Sequence, residues 1–126
     1  MTDSSRQCSV LVVEDEPLIL FDAVDMIEDA GFEVHAVTNA KAALDVMERC
    51  QDVGILFTDL EMPGAMDGSG LAHAIKARWP AVAVIIVSGH PQPDLKAMPL
   101  DCRFFAKPYL RNSVLSALND ADIMRA

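Results

Sequence analysis

The feature that most constrains this chain is a short, unbroken apolar run at residues 53–57, which continues through Thr58 to Asp59. A run of this length, stopped by the turn residues 62–64, is typical of a strand that is buried on both faces. Such strands belong to parallel sheets covered by helices. Asp59 would then lie at the carboxyl end of its strand, where ligands bind in open α/β sheets because the loops diverge there.

The rest of the chain alternates short apolar runs with stretches of helical periodicity. Strands are predicted at residues 8–13, 32–37, 53–59, 82–87 and 103–106, and helices at 17–30, 40–50, 71–79 and 110–121. Prolines at 91, 93 and 99 leave room only for a short helix at 94–98. This alternation predicts an α/β fold, a doubly wound, flavodoxin-like parallel sheet of five strands in the order 2-1-3-4-5.

Composition limits the classes of function. The chain has 126 residues, of which 52% are hydrophobic, so residues 1–126 are predicted to form a single domain with a real core. The net charge of −9 disfavours direct binding to nucleic acid and suits a cation. No apolar run is long enough to cross a bilayer, and residues 1–7 show no apolar signal region. A cytoplasmic protein without membrane contact is therefore expected.

The cysteines and two of the histidines show no metal-binding or disulfide pattern. Cys8, Cys50 and Cys102 are odd in number, far apart and without a C-x-x-C pair, so buried free thiols are expected rather than disulfides or a zinc site. His35 and His73 lie in no metal-ligand spacing. Surface or structural roles are expected for both.

Three acids are predicted to meet at one edge of the sheet. In the order 2-1-3-4-5 the first and third strands are neighbours, which brings Glu14 and Asp15 to Asp59. Three adjacent carboxylates repel one another unless a cation joins them. Oxygen ligands of this kind suit Mg²⁺ or Mn²⁺, and Mg²⁺ usually keeps waters and an open position for a phosphoryl oxygen.

Two further strand ends supply groups that a phosphoryl group needs. Ser88, after the fourth strand, offers a hydroxyl donor, and Lys107, after the fifth, offers a positive charge. Asp59 can act as the nucleophile toward phosphorus and form an aspartyl phosphate. The metal and Lys107 would neutralise charge in the transition state.

Five motifs together resemble the receiver domain of two-component response regulators. They are VEDEP (13–17), TDLEMPG (58–64), DG (67–68), VSG (87–89) and KPY (107–109), and the resemblance spans roughly residues 8–122 in the same order. It implies that Asp59 is the phosphoacceptor, that Asp15 is a direct metal ligand and that Glu14 holds the metal through water. The backbone carbonyl of Glu61 would complete the metal site.

The resemblance also implies a switch. Ser88 matches the hydroxyl that moves toward the phosphoryl group, Lys107 matches the lysine of the family, and the bond between Lys107 and Pro108 is expected to be cis. Phe104 matches the aromatic switch position but cannot donate a hydrogen bond, so switching there would work by packing. The side chains of Glu61 and His90 occupy positions that influence how fast the phosphoryl group is lost to water.

The implied partners are a sensor histidine kinase or a histidine phosphotransfer protein as phosphodonor, and a downstream protein. A stand-alone receiver is expected, because no output domain follows Ala126 in this sequence. A shuttle or sink in a phosphorelay, or the receiver of a hybrid histidine kinase, remains an alternative. The chain would catalyse its own phosphorylation and dephosphorylation without turning over a separate substrate.

Two other classes of function are weaker. A phosphatase with an Asp nucleophile would find its second acid in Glu61, but the chain offers no cap domain or substrate pocket. A binding module that works without phosphorylation would be expected to have lost Asp59 or Lys107, and both are present. A dinucleotide-binding protein is weaker still, because no G-x-G-x-x-G motif follows the first strand.

Overall fold

The structure is a computed structural model that describes residues 8–91, 93–99 and 101–125. Residues 1–7, in which no signal region was found, lie outside the described part of the chain. The strands are β1 Ser9–Val13, β2 Val34–Val37, β3 Val53–Asp59, β4 Ala83–Ser88 and β5 Arg103–Ala106. The α-helices are α1 Pro17–Asp29, α2 Ala40–Arg49, α3 Gly68–Arg78 and α4 Arg111–Arg125.

The five strands form one parallel sheet in the order β2-β1-β3-β4-β5, which confirms the predicted fold. All residues of β1 and β3 are buried. Such strands read as continuous apolar runs because both of their faces are covered. The bounds of β3 and β5 are those predicted, and the ends of the other strands differ from the predicted ones by at most two residues.

Alternate residues of the strands pack into two apolar layers, one on each face of the sheet. Leu11 and Leu56 pack with α2 and α3 on one face, whereas Val10 and Phe57 pack with α1 and α4 on the other. Phe104 and Phe105 divide in the same way, one to each layer. This alternation follows from the two-residue period of a strand.

Side-chain caps begin the helices α2 and α3. The side chain of Asn39 accepts a hydrogen bond from the backbone N–H of Ala42 at 2.8 Å, and Asp67 does the same for Gly70 at 2.9 Å. These contacts satisfy donors that have no partner within the helix. Because Asp67 is the cap, α3 begins at Gly68, three residues before the predicted start.

The connection between β4 and β5 contains a 3-10 turn, Leu95–Ala97, within the segment where a short helix was expected. Two side chains of α3 hold this turn in place. The Ser69 hydroxyl donates to the carbonyl of Ala97 at 2.7 Å, and His73 Nε2 lies 2.6 Å from the same oxygen. Met98 follows and is buried in the layer formed with α2 and α3.

All three cysteines are free, as predicted. Cys8 is buried, but Cys50 and Cys102 are only half-buried, so the expectation of buried thiols is right for Cys8 alone. Within the described residues, none of the helices has the length and apolar character needed to span a bilayer.

Candidate functional site

The predicted site residues follow the carboxyl ends of four neighbouring strands. Glu14 and Asp15 come directly after β1, and Asp59 is the last residue of β3. Ser88 ends β4, and Lys107 directly follows β5. Because all the strands are parallel, these residues share one edge of the sheet.

The structure brings the three acids together. One carboxylate oxygen from each of Glu14, Asp15 and Asp59 lies within 4.8 Å of the other two. Glu14 and Asp59 are buried, while Asp15 is exposed. A cation could therefore approach from solvent past Asp15 and meet two buried carboxylates.

Lys107 joins this cluster from β5. Its Nζ lies 3.1 Å from Asp59 Oδ1 and 3.2 Å from Glu14 Oε1. The contact with Asp59 is an ion pair. Asp59 Oδ1 is buried and has no hydrogen-bond partner among the described residues. This oxygen keeps its capacity to bind another group.

The surroundings of Asp59 and Lys107 shift both of their pKa values. Burial raises the pKa of Asp59 to about 6; the nearby Lys107 ammonium opposes this shift, and the charges of Glu14 and Glu61 add to it. Burial by itself would lower the pKa of Lys107, but Asp59 and Glu14 outweigh that effect and hold it above its usual value. The lysine therefore stays charged at neutral pH.

Glu14 already uses both of its carboxylate oxygens. Oε1 lies 3.2 Å from the Lys107 ammonium, and Oε2 accepts a hydrogen bond from the backbone N–H of Glu16 at 3.0 Å. These contacts fix the orientation of a buried acid at the start of α1. They also leave Asp15 as the more accessible of the two acids that follow β1.

Ser88 is fully buried, and its hydroxyl is engaged by the loop after β3. Its Oγ donates to Glu61 Oε2 at 2.5 Å and accepts from the backbone N–H of His90 at 2.9 Å. A hydrogen bond to a charged acceptor is among the stronger ones in proteins. The sequence predicted both residues for the site but not this contact between their side chains.

Phe104 lies in β5 opposite Ile86 of β4. Its side chain is half-buried and packs in the apolar layer formed with α2 and α3. The bond between Lys107 and Pro108 is cis, as the resemblance implied. The cis bond follows directly on the residue that contacts Asp59.

Gly68 has a steric role that the sequence did not reveal. A Cβ atom on Gly68 would lie 2.1 Å from the backbone oxygen of Asp59 and 2.9 Å from the Cα of Leu60. Gly68 N also donates to the carbonyl of Leu60 at 2.9 Å. The DG motif was the only signal, and the close approach became visible only in three dimensions.

An open cleft of about 680 Å³ lies beside the acid cluster. Asp15, Glu61, His90 and Asp94 are among the residues that line it. Apart from Asp15, which follows β1, and Ser69 of α3, its lining comes from the loops after β3 and β4.

Comparisons with known proteins agree with this geometry. The sequence matches the response regulator receiver domain family over residues 10–119. The sensor kinase CckA of Brucella abortus is 32% identical over 112 residues, which is 86% of this chain and 12% of that protein. A putative NtrX-like response regulator of Rickettsia bellii is 35% identical over 82 residues, covering 64% of this chain and 17% of the relative. This chain thus spans a small part of each relative.

Solved structures show the same fold. A response regulator receiver domain protein from Clostridium thermocellum has a TM-score of 0.85 at 29% identity, covering 94% of this chain and 96% of the other. A receiver protein from Sinorhizobium medicae WSM419 has a TM-score of 0.86 at 23% identity, covering 95% and 98%, and this likeness concerns the fold alone. The sequence motifs, the acids and the lysine at one edge of the sheet, and the family match over most of the chain all agree. The chain therefore belongs to the response regulator receiver domains of two-component signal transduction.

Proposed function

We propose that this chain accepts a phosphoryl group on Asp59 in a Mg²⁺-dependent reaction. The donor would be a phosphohistidine on a sensor histidine kinase or on a histidine phosphotransfer protein. The observation that supports this proposal most is the Lys107 ammonium 3.1 Å from Asp59 Oδ1, with two further acids at the same edge. The chain would act as one cytoplasmic receiver domain.

The acid cluster fits a hard divalent cation. Asp59 Oδ1 is buried without a hydrogen-bond partner among the described residues, and Asp15 is exposed. We assign direct ligation to Asp15 and Asp59, with the backbone carbonyl of Glu61 as a third ligand. Glu14 would act through a bound water, because both of its oxygens already have partners. Bound Mg²⁺ would supply positive charge for the oxygens of the phosphoryl group.

The transfer itself needs an ionised Asp59. Its pKa of about 6 leaves the carboxylate predominantly charged at neutral pH. A carboxylate oxygen attacks phosphorus, the new P–O bond forms as the P–N bond of the donor breaks, and the imidazole nitrogen leaves with the electron pair. Lys107 holds its positive charge beside the reacting oxygens throughout, which lowers the electrostatic cost of the transition state.

We further propose that Ser88 and Phe104 carry the signal to a downstream protein partner. To reach a phosphoryl group on Asp59, the Ser88 hydroxyl must leave Glu61, which accepts its hydrogen bond at 2.5 Å. Phe104 would respond by repacking, since its ring has no hydrogen-bond donor. Phosphorylation would thereby shift an equilibrium between two conformations.

Mass spectrometry after incubation with Mg²⁺ and a small acyl phosphate donor tests this function. The wild-type protein is expected to gain one phosphoryl group, and Asp59→Asn none. Asp94→Asn, which removes an acid of the neighbouring cleft, serves as the matched control and is expected to behave like the wild type. A phosphoryl group that still appears on Asp59→Asn would refute the assignment.

A further inference from the structure

We propose a second metal site, for Zn²⁺ or a similar late first-row divalent ion, formed by His35, Cys50 and Asp52. One ligand atom of each residue, the His nitrogen, the Cys sulfur and a carboxylate oxygen, lies within 4.8 Å of the other two. No pattern in the sequence predicts this group of residues. His35 is far from Cys50 along the chain, and Cys50 with Asp52 forms no recognised metal motif.

The three residues come together at the amino edge of the sheet, opposite the acid cluster. His35 lies in β2 next to Leu11 of β1. Cys50 directly follows α2, and Asp52 directly precedes β3. Asp52 and Asp59 lie at opposite ends of β3, which runs from Val53 to Asp59, so roughly 20 Å, the length of this strand, separates these two members of the clusters.

Two buried polar atoms at this place have no hydrogen-bond partner among the described residues. His35 Nε2 is one of them, and its contact with Asp52 Oδ1, at 3.5 Å, is too long for a good hydrogen bond. The other is the hydroxyl of Ser9, whose side chain is on the same face as His35 and whose backbone N–H donates to the carbonyl of Asp52 at 3.0 Å. Buried polar atoms without partners are rare, so two together call for an explanation. A metal ion would use the free lone pair of His35.

The site is open enough for an ion to enter. The side chain of Asp52 is 54% exposed and that of His35 is 30% exposed, while Cys50 is half-buried. Three protein ligands leave a fourth position for water, the arrangement of an open tetrahedral zinc site. The ion would join β2, the end of α2 and the start of β3.

The donor set decides which ion fits. Nitrogen, sulfur and oxygen donors together suit Zn²⁺ and its first-row neighbours, whereas Mg²⁺ prefers oxygen alone. A thiolate at Cys50 and the carboxylate of Asp52 would balance the two charges of the ion, and binding would release the thiol proton to solvent. The two clusters should therefore bind different ions at the same time.

A Co²⁺ titration of the whole chain tests the site, with excess Mg²⁺ present to occupy the acid cluster. Binding is expected to produce a sulfur-to-cobalt charge-transfer absorption at one ion per chain, and added Zn²⁺ should abolish it. Absence of this absorption would overturn the proposal and leave His35 and Asp52 as an ordinary ion pair.

Variants identify the ligands. Cys50→Ser is expected to lose the absorption, and Cys102→Ser, which removes the other half-buried thiol, is expected to keep it. Asp52→Asn should lower the affinity at least about tenfold, since even outer-shell partners of a metal are worth about 10- to 100-fold. Because Asp52 is exposed, Asp52→Asn is expected to fold. If circular dichroism shows that Cys50→Ser does not fold, Asp52→Asn decides the test. An unchanged affinity in Asp52→Asn, or loss of the signal in Cys102→Ser, would contradict the assignment.

Discussion

The ionisation of Asp59 makes the free energy of unfolding of the unphosphorylated protein depend on pH. Burial, opposed by Lys107, raises its pKa from 3.8 to about 6. A carboxyl group whose pKa is higher in the folded state costs stability as the pH rises, because the unfolded chain releases the proton first. This cost begins near pH 4, grows until the pH exceeds about 6, and is constant above that.

Without Mg²⁺, Asp59→Asn is therefore expected to be more stable than the wild type above about pH 7, by up to about 3 kcal/mol. The difference should shrink as the pH falls through 6 toward 4. Urea unfolding in EDTA across this range measures it. Asp45→Asn, which changes an exposed acid of α2, is the control and should show no comparable trend. A stability difference that does not depend on pH would contradict the raised pKa.

Glu61 holds the Ser88 hydroxyl through a 2.5 Å hydrogen bond. If Ser88 must leave this acceptor to reach a phosphoryl group, Glu61→Ala should favour the phosphorylated conformation. A hydrogen bond to a charged group is worth about 1.5 to 3 kcal/mol, so tighter binding of beryllium trifluoride, by roughly tenfold or more, is expected. Glu61→Gln keeps an acceptor and should lie closer to the wild type. Isothermal titration calorimetry measures the affinity for beryllium trifluoride, and weaker binding of it to Glu61→Ala would disprove this role of Glu61.

Among the elements, the start of α3 is packed directly against the end of β3. A Cβ atom on Gly68 would lie 2.1 Å from the backbone oxygen of Asp59, which cannot move aside as a flexible side chain could. Gly68→Ala is expected to destabilise the protein by about 1 to 3 kcal/mol and to reduce phosphorylation, because it displaces the backbone of Asp59. Gly89→Ala is the matched control, since its Cβ would meet only Lys107 Cβ at 4.0 Å. Thermal unfolding of both variants measures the effect; equal stabilities would contradict it.

The 3-10 turn Leu95–Ala97 is held in position by a hydrogen bond from a side chain of α3. The buried Ser69 hydroxyl donates to the carbonyl of Ala97 at 2.7 Å, and His73 Nε2 lies 2.6 Å from the same oxygen. Ser69→Ala is expected to cost about 1 kcal/mol and to speed hydrogen exchange around Met98. Ser116→Ala, at an exposed position of α4, should change neither quantity. Unaltered exchange around Met98 in Ser69→Ala would show that the turn is held by other contacts.

For the whole molecule, the proposed binding of Mg²⁺ to the acid cluster is expected to couple folding to this ion. The chain carries a net charge of −9, and three of its acids meet at one edge. Mg²⁺ that binds only the folded protein stabilises it, by about 2.7 kcal/mol at a concentration 100 times the Kd. We expect this gain in the wild type and not in Asp15→Asn, as judged by the shift in Tm. Potassium chloride of equal ionic strength controls for screening, and an equal shift with that salt would exclude a specific site.

The order of residues along the chain was enough to predict the parallel sheet and the edge at which the site lies. Continuous apolar runs such as residues 53–57 mark strands that are buried on both faces, and this signal is local, so the pattern alone is enough to find them. Parallel order then follows from the alternation with helices, which places Asp59 and Lys107 at one edge before any coordinates are known.

Contacts between side chains far apart in the chain became visible only in three dimensions. The hydrogen bond from Ser88 to Glu61, the close approach of Gly68 to Asp59, and the group of His35, Cys50 and Asp52 all depend on the paths of loops and the packing of helices. Hydrophobic periodicity specifies which face of an element is buried, but it carries no information about which polar atoms come within a few ångströms of each other. Those distances are set by long-range packing, and they determine which of the acids, thiols and hydroxyls can act together.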